Sequence, residues 1–73
     1  MNIQTQFGMR IKYLRKQRGW SQEDLALFAN VNKNYISDLE RGRRNPTLGV
    51  MEKIALAFNI PISELTKGIM SFN

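Results

Sequence analysis

The sequence predicts an all-α domain of five short helices, and three observations predict it. Apolar residues recur at helical spacing along most of the chain. Capping residues, glycines and prolines divide that pattern into short segments. No stretch alternates apolar and polar residues over four or more positions between turn signals, as a half-buried strand would.

Each helix can be justified in turn. Phe7, Ile11 and Leu14 stand at i, i+4 and i+7, one apolar stripe of a helix running from about residue 5 to Arg18. Gly19 sits where a left-handed C-terminal residue is wanted. Ser21-Gln22-Glu23-Asp24 opens the second helix: Ser21 can accept from the backbone N–H of Asp24, and the acids lie in the positive first turn. This is a capping box with Asp in place of Glu or Gln, and Trp20 and Leu25 have the spacing of a hydrophobic staple. Leu25, Phe28 and Ala29 face inward, and Asn30 follows as a residue that tolerates positive φ. Val31 plugs the turn, Asn32 caps a third helix with Ile36 and Leu39 as its inward pair, and Gly42 stops it. Pro46 and Thr47 start a fourth helix with the apolar set Leu48, Met51, Ile54, Ala55 and Phe58. Asn59-Ile60-Pro61 breaks it, and residues 62–67 form a short fifth helix closed by Gly68. The expected core is Phe7, Ile11, Leu14, Leu25, Phe28, Val31, Ile36, Leu39, Leu48, Met51, Ile54, Phe58, Ile60 and Leu65.

Length and composition narrow the function. Seventy-three residues make a single domain, 1–73, with a core of 5–67 and a tail of 68–73. There is no cysteine and no histidine, which excludes disulfides, thiolate or imidazole metal sites and histidine-based acid–base catalysis. Ser21, Ser37, Ser63 and Ser71 have no base to activate them, the glycines are caps, and the carboxylates are not paired, so the chain is expected to be neither an enzyme nor a cofactor or metal binder. No apolar run approaches the roughly 20 residues of a membrane span, and the basic N-terminal region lacks the apolar stretch of a signal peptide. The expectation is a soluble cytoplasmic protein. Eleven Lys and Arg against six Asp and Glu give a net charge of +5. Such a surplus either serves a polyanion, most often nucleic acid, or simply keeps a small protein in solution. Arg41, Arg43 and Arg44 bunch together, whereas the acids are mostly scattered.

Two short helices joined by a tight turn with a left-handed position make a helix-turn-helix, here residues 21–42. The segment resembles the lambda-repressor-like (Cro/repressor type, XRE-like) helix-turn-helix family of bacterial and phage regulators, and the resemblance covers roughly residues 7–66. It rests on Ser21-Gln22 at the start of the second helix, Leu25-Ala26, the Ile36, Leu39, Glu40 and Gly42 pattern, and Asn45-Pro46-Thr47. Asn30 stands where the family most often has Gly, and it suits the same backbone conformation.

Helical geometry places Lys33, Asn34, Ser37, Asp38 and Arg41 on the face opposite Ile36 and Leu39. Lys and Asn suit guanine and adenine edges in a major groove. The resemblance implies base readout by Asn32, Lys33, Asn34, Ser37 and Asp38. Asp38 would be repelled by phosphates unless it accepts from cytosine N4 or steers Arg41. The DNA backbone would be held by Gln22, Tyr35, Arg41, Arg43, Arg44 and Asn45; Gln22 would also brace the third helix. Arg15 and Glu40 are implied to form a structural salt bridge, whereas Arg10, Lys12, Lys16 and Arg18 are expected to be mostly solvated. Ile62, Leu65, Ile69, Met70 and Phe72 are candidates for a dimer seam, the alternative being a tail that folds back on its own core. The function implied is a sequence-specific regulator of transcription, a repressor or autoregulator, that binds double-stranded DNA as a homodimer on a palindromic operator. Small stand-alone members of the family include phage-type repressors, antitoxins that repress their own operons and restriction–modification controllers. The alternative is a protein-interaction module that binds a toxin or another regulator and whose DNA contacts are secondary; in the leading reading the bound dimer blocks RNA polymerase or contacts it.

Overall fold

The structure, a computed structural model, describes residues 1–70. Its elements are α1 (Ile3–Gln17), α2 (Gln22–Ala29), α3 (Lys33–Glu40), α4 (Leu48–Phe58) and α5 (Ile62–Leu65), with no strand among the described residues. Four of these helices open on a side-chain oxygen that accepts an otherwise unpaired backbone N–H. Ser21 and Asp24 close the capping box reciprocally, at 3.0 and 2.9 Å. Asn2 Oδ1 accepts from Thr5 N at 2.8 Å, which starts α1 at Ile3 rather than near residue 5. Regular helix ends at Leu65 rather than at residue 67. Lys67 and Ile69 then donate three residues back, to Glu64 O and Thr66 O, and the chain reaches Gly68 at φ 81°.

The chain stops two helices in the same way. Asn30 and Asn59 take the left-handed conformation at φ 55° and 57°, and the next residue in each case, Val31 or Ile60, donates back to Ala26 O or Ala55 O at 3.0 Å. Both stops are Schellman-type caps, with asparagine in the role usually held by glycine.

Ile11, Leu25, Ile36, Leu39, Ile54 and Leu65 have no accessible surface and form the centre of the core. The inward face of α2 is Leu25, Ala26 and Ala29, small enough for α3 and α4 to pack on it. Phe28 is not part of that core: it is 52% exposed at the edge of α2, its ring 4.7 Å from that of Trp20. Leu48 is 70% exposed, because the first residue of α4 lies beyond the helix's buried face of Ile54, Ala55 and Phe58. Val31, Met51 and Ile60 are half-buried against the core. The Trp20 ring stacks on Phe58, centroids 5.4 Å apart and nearly parallel.

Arg10, expected to be solvated, is half-buried and committed to the fold, and Arg18, exposed as expected, also bonds to the protein itself. Arg10 donates from Nη2 to Glu64 Oε2 at 3.0 Å and to Glu64 O at 2.7 Å, which pins α5 to α1. Arg18 donates to Phe58 O at 2.8 Å and lies 4.7 Å above the Phe58 ring, closing the end of α4. Lys12 and Lys16 are exposed, as expected.

The described part of the tail folds back on α1. Gln6 Nε2 donates to Met70 O at 2.7 Å and to Met1 O at 3.1 Å, while Gln6 Oε1 accepts from Met70 N at 2.9 Å. Ile69 packs against the core. Leu65, with no accessible surface, is a core residue and has none to offer a dimer seam. Phe72 lies outside the described residues. No helix among the described residues is long and apolar enough to cross a membrane.

Among the glycines, packing is tightest at Gly8, where α1 crosses α3: a Cβ there would overlap Leu39 O and stand 2.9 Å from Glu40 O. Backbone atoms cannot swing aside as a side chain could. Gly8→Ala is therefore expected to destabilise the protein by about 1–3 kcal/mol, the usual range for overpacking. At Gly49 the added Cβ meets only Thr47 Oγ1 at 3.8 Å, and replacing a helical glycine with alanine there should stabilise by about 0.5–1 kcal/mol. Thermal melting of the two variants followed by circular dichroism checks both, with the midpoints expected to move in opposite directions.

Candidate nucleic-acid interface

Three elements are tied together beneath the helix-turn-helix by one carboxylate. Glu40, the last residue of α3, accepts from Arg15 Nε at 2.7 Å and Arg15 Nη2 at 2.9 Å, a two-point pair with side chains only 9% and 3% exposed. Arg15 Nη1 also donates to Trp20 O at 2.8 Å, and Gln22 Nε2 reaches Glu40 Oε1 at 3.1 Å. The end of α1, the α1–α2 turn, the start of α2 and the end of α3 thus meet at one point. The hydrogen bonds from Arg15 to Glu40 raise the Arg15 pKa above its ordinary value, against the opposing effect of burial. A basic group whose folded pKa is raised contributes stability below its unfolded pKa and loses it only as pH rises through the folded one. For arginine that window is strongly alkaline, so this contribution is constant across neutral pH.

With α3 held at its end, its first turn is left to solvent. Asn32, Lys33 and Asn34 are exposed, Ser37 and Asp38 are half-buried, and Ile36 and Leu39 fill the core behind them. Asn32 already has one task, its Oδ1 accepting from Asn34 N at 2.7 Å as the helix cap. Bidentate pairing to an adenine edge uses both amide heavy atoms, so Asn34 is better placed for it than Asn32.

The loop directly after α3 gathers exposed cations. Gly42, at φ 76°, presses against α1, where a Cβ would come within 2.7 Å of Thr5 Oγ1 and 3.0 Å of Thr5 Cα. Beyond it Arg43, Arg44 and Asn45 are exposed, as is Arg41 before it. Asp38 pairs with Arg44 and not with Arg41: Asp38 Oδ2 lies 3.3 Å from Arg44 Nη2. The Arg44 guanidinium lies 5.1 Å over the half-buried Tyr35 ring. Arg41 is instead the C-cap of α3, its backbone N–H directed at Ser37 O and Asp38 O.

This arrangement, a short helix with a free polar first turn set against a capped partner helix, matches the helix-turn-helix family model over residues 11–65. The chain belongs to the helix-turn-helix family. This domain is 38% identical to the competence pilus inhibition repressor of Acinetobacter baylyi over 58 residues, 80% of the chain and 53% of that protein. It spans about half the length of that repressor, and 46% and 40% of two further regulators that it resembles. Control protein C.MunI of a Mycoplasma species is also 38% identical, over 69 residues that make up 93% of each chain. The crystal structure of the restriction–modification controller protein C.AhdI from Aeromonas hydrophila superimposes with a TM-score of 0.82 at 39% identity, covering 85% of this chain and 94% of that one.

Removing Glu40 would leave the Arg15 guanidinium buried without its partner. Glu40→Ala is expected to lose about 3–5 kcal/mol, the usual cost of breaking a buried pair. Gln22→Ala removes only a part-buried neutral donor to a carboxylate and should lose about 1–2 kcal/mol. Urea denaturation of the two variants tests this order; equal losses would mean that the pair carries no special weight.

Proposed function

We propose that this protein is a sequence-specific, double-stranded-DNA-binding regulator of transcription that acts as a repressor or autoregulator. The observation that carries the reading is the exposed first turn of α3, fixed from behind by the Arg15–Glu40 pair and flanked by the basic loop after it. A B-DNA major groove admits an α-helix, and helix-turn-helix proteins read base edges with the first residues of the second helix. Asn32, Lys33, Asn34 and Ser37 supply donors and acceptors to those edges. Gln22, Tyr35, Arg41, Arg43, Arg44 and Asn45 hold phosphates, which sets register and affinity without reading sequence. The names of its relatives support the same reading, one a repressor and two controller proteins.

The regulator binds as a homodimer in the cytoplasm, with no enzymatic activity, and blocks transcription by occupying its operator. One protomer covers about half a site, so two-fold symmetry calls for half-sites roughly 34 Å apart. Met1, Met9, Tyr13 and Met70 are each more than half exposed. Met1, Met9 and Tyr13 line a shallow hollow of about 300 Å³ together with Ile69. This apolar end, with half-buried Ile62 nearby in the chain, is the surface a second copy would cover.

Selection from a random duplex library at near-physiological salt is expected to enrich a pseudo-palindrome with half-sites one turn apart. A single enriched half-site would remove the dimer, and no enrichment by folded protein would move the weight to a protein-interaction role. On the selected operator, Asn34→Ala or Lys33→Ala should weaken binding by about 1–3 kcal/mol and relax preference at one position. Arg43→Ala should weaken binding uniformly and reduce the salt slope by about 1. Fluorescence anisotropy on operator variants at several salt concentrations separates the two patterns.

A further inference from the structure

We propose that Asp38 acts on DNA through Arg44 and does not itself read a base, so that it is a positioning residue for the basic loop; the inference rests on the function proposed above. Asp38 holds that loop by both its backbone and its side chain. Its carbonyl accepts the backbone N–H of Arg41 at 3.2 Å and of Arg43 at 2.9 Å. Its carboxylate takes Arg44 Nη2 at 3.3 Å. The Arg44 guanidinium is steadied from a second direction by the Tyr35 ring, 5.1 Å away. Tyr35 and Asp38 are three residues apart on α3 and therefore neighbours on its surface, so the two contacts define one place for the guanidinium.

The chemistry of the groove points the same way. An unpaired carboxylate near a duplex is repelled by phosphates, and it contributes to readout only by accepting from a cytosine amine. With Arg44 beside it, the Asp38 charge is balanced, and one oxygen is already engaged. Arginine carries a fork of donors, and a single contact to Asp38 leaves the rest of that fork for a phosphate. Holding a long, flexible side chain in place before binding lowers the ordering it must undergo on binding. The half-exposed pair adds little to folding, so its removal is compatible with an intact fold.

The test uses the operator recovered by selection and a panel with each base pair of the half-site replaced in turn. Affinities of wild type, Asp38→Asn, Arg44→Ala and the double variant are measured by anisotropy, with melting curves to confirm folding. Asp38→Asn is expected to weaken binding about three- to fivefold, the size of a part-exposed ion pair's coupling. That factor should be the same on every operator of the panel and should vanish when Arg44 is already alanine. An Asp38→Asn effect confined to one base pair, or undiminished without Arg44, would show direct readout and overturn the proposal. Uniformly tighter binding by Asp38→Asn would also overturn it, since Asp38 would then only repel phosphates. If wild type binds no duplex at any sequence, the DNA-binding reading itself fails and this inference with it. That failure is recognised without any variant.

Discussion

The Arg15–Glu40 pair is the constraint on which the rest of the arrangement depends. Burying two charges is costly, and the attraction between them offsets that cost only with good geometry and further hydrogen bonds. Both conditions hold here: two short contacts join the pair, and Trp20 O and Gln22 Nε2 satisfy further polar positions. An apolar replacement could match such a pair in stability. It could not also hold a backbone carbonyl and a glutamine amide in fixed directions. The pair is best understood as a device of register, which sets where α3 ends relative to α1 and the start of α2.

Charge is divided between architecture and surface in a way that a net value conceals. Arg10, Arg15 and Arg18 each bind oxygens of the protein itself, on α5, on α3 and at the end of α4. Lys33, Arg41, Arg43 and Arg44 are exposed on α3 and the loop that follows it. An association steered by electrostatics depends on the local field more than on the total, and these four cations stand on α3 and the loop that follows it. Half-buried Arg10 and buried Arg15 are poorly placed to contribute, because their hydrogen bonds are directed inward.

Much of this was legible in the sequence, for reasons that can be stated. The capping box at Ser21 and the left-handed Asn30 are local chemistry, and local chemistry is written in a few adjacent letters. The all-helical class follows from periodicity, which Ile11, Leu14, Ile36 and Leu39 display plainly. The burial of Ala26 was harder to see, because a small residue carries little hydrophobic signal and is read only when its neighbours across the core are known. Phe28 shows the reverse: a large aromatic ring looked like core, but a two-turn helix has room for only one buried stripe and alanines fill it. The close crossing at Gly8 carries no sequence signal, since nothing nearby reveals which backbone will cross it. The contacts that Arg10 and Arg18 make with the protein are hidden for the same reason, their acceptors lying 54 and 40 residues away. Within the candidate site, the helix and its polar face could be anticipated, but the choice of Arg44 over Arg41 as Asp38's partner depends on how the loop turns.

On the function proposed above, the crossing at Gly8 would limit how this protein adapts to DNA. With Leu39 O and Glu40 O close against the α1 backbone, α3 has little room to move toward α1. The helix would then enter a groove together with α1, as part of one wedge. Small mismatches between wedge and groove must be absorbed by long side chains such as Lys33 or by deformation of the duplex. Deformability varies with base step, even at positions no side chain touches. A DNA-binding protein built this way would discriminate partly by which sequences bend to fit it.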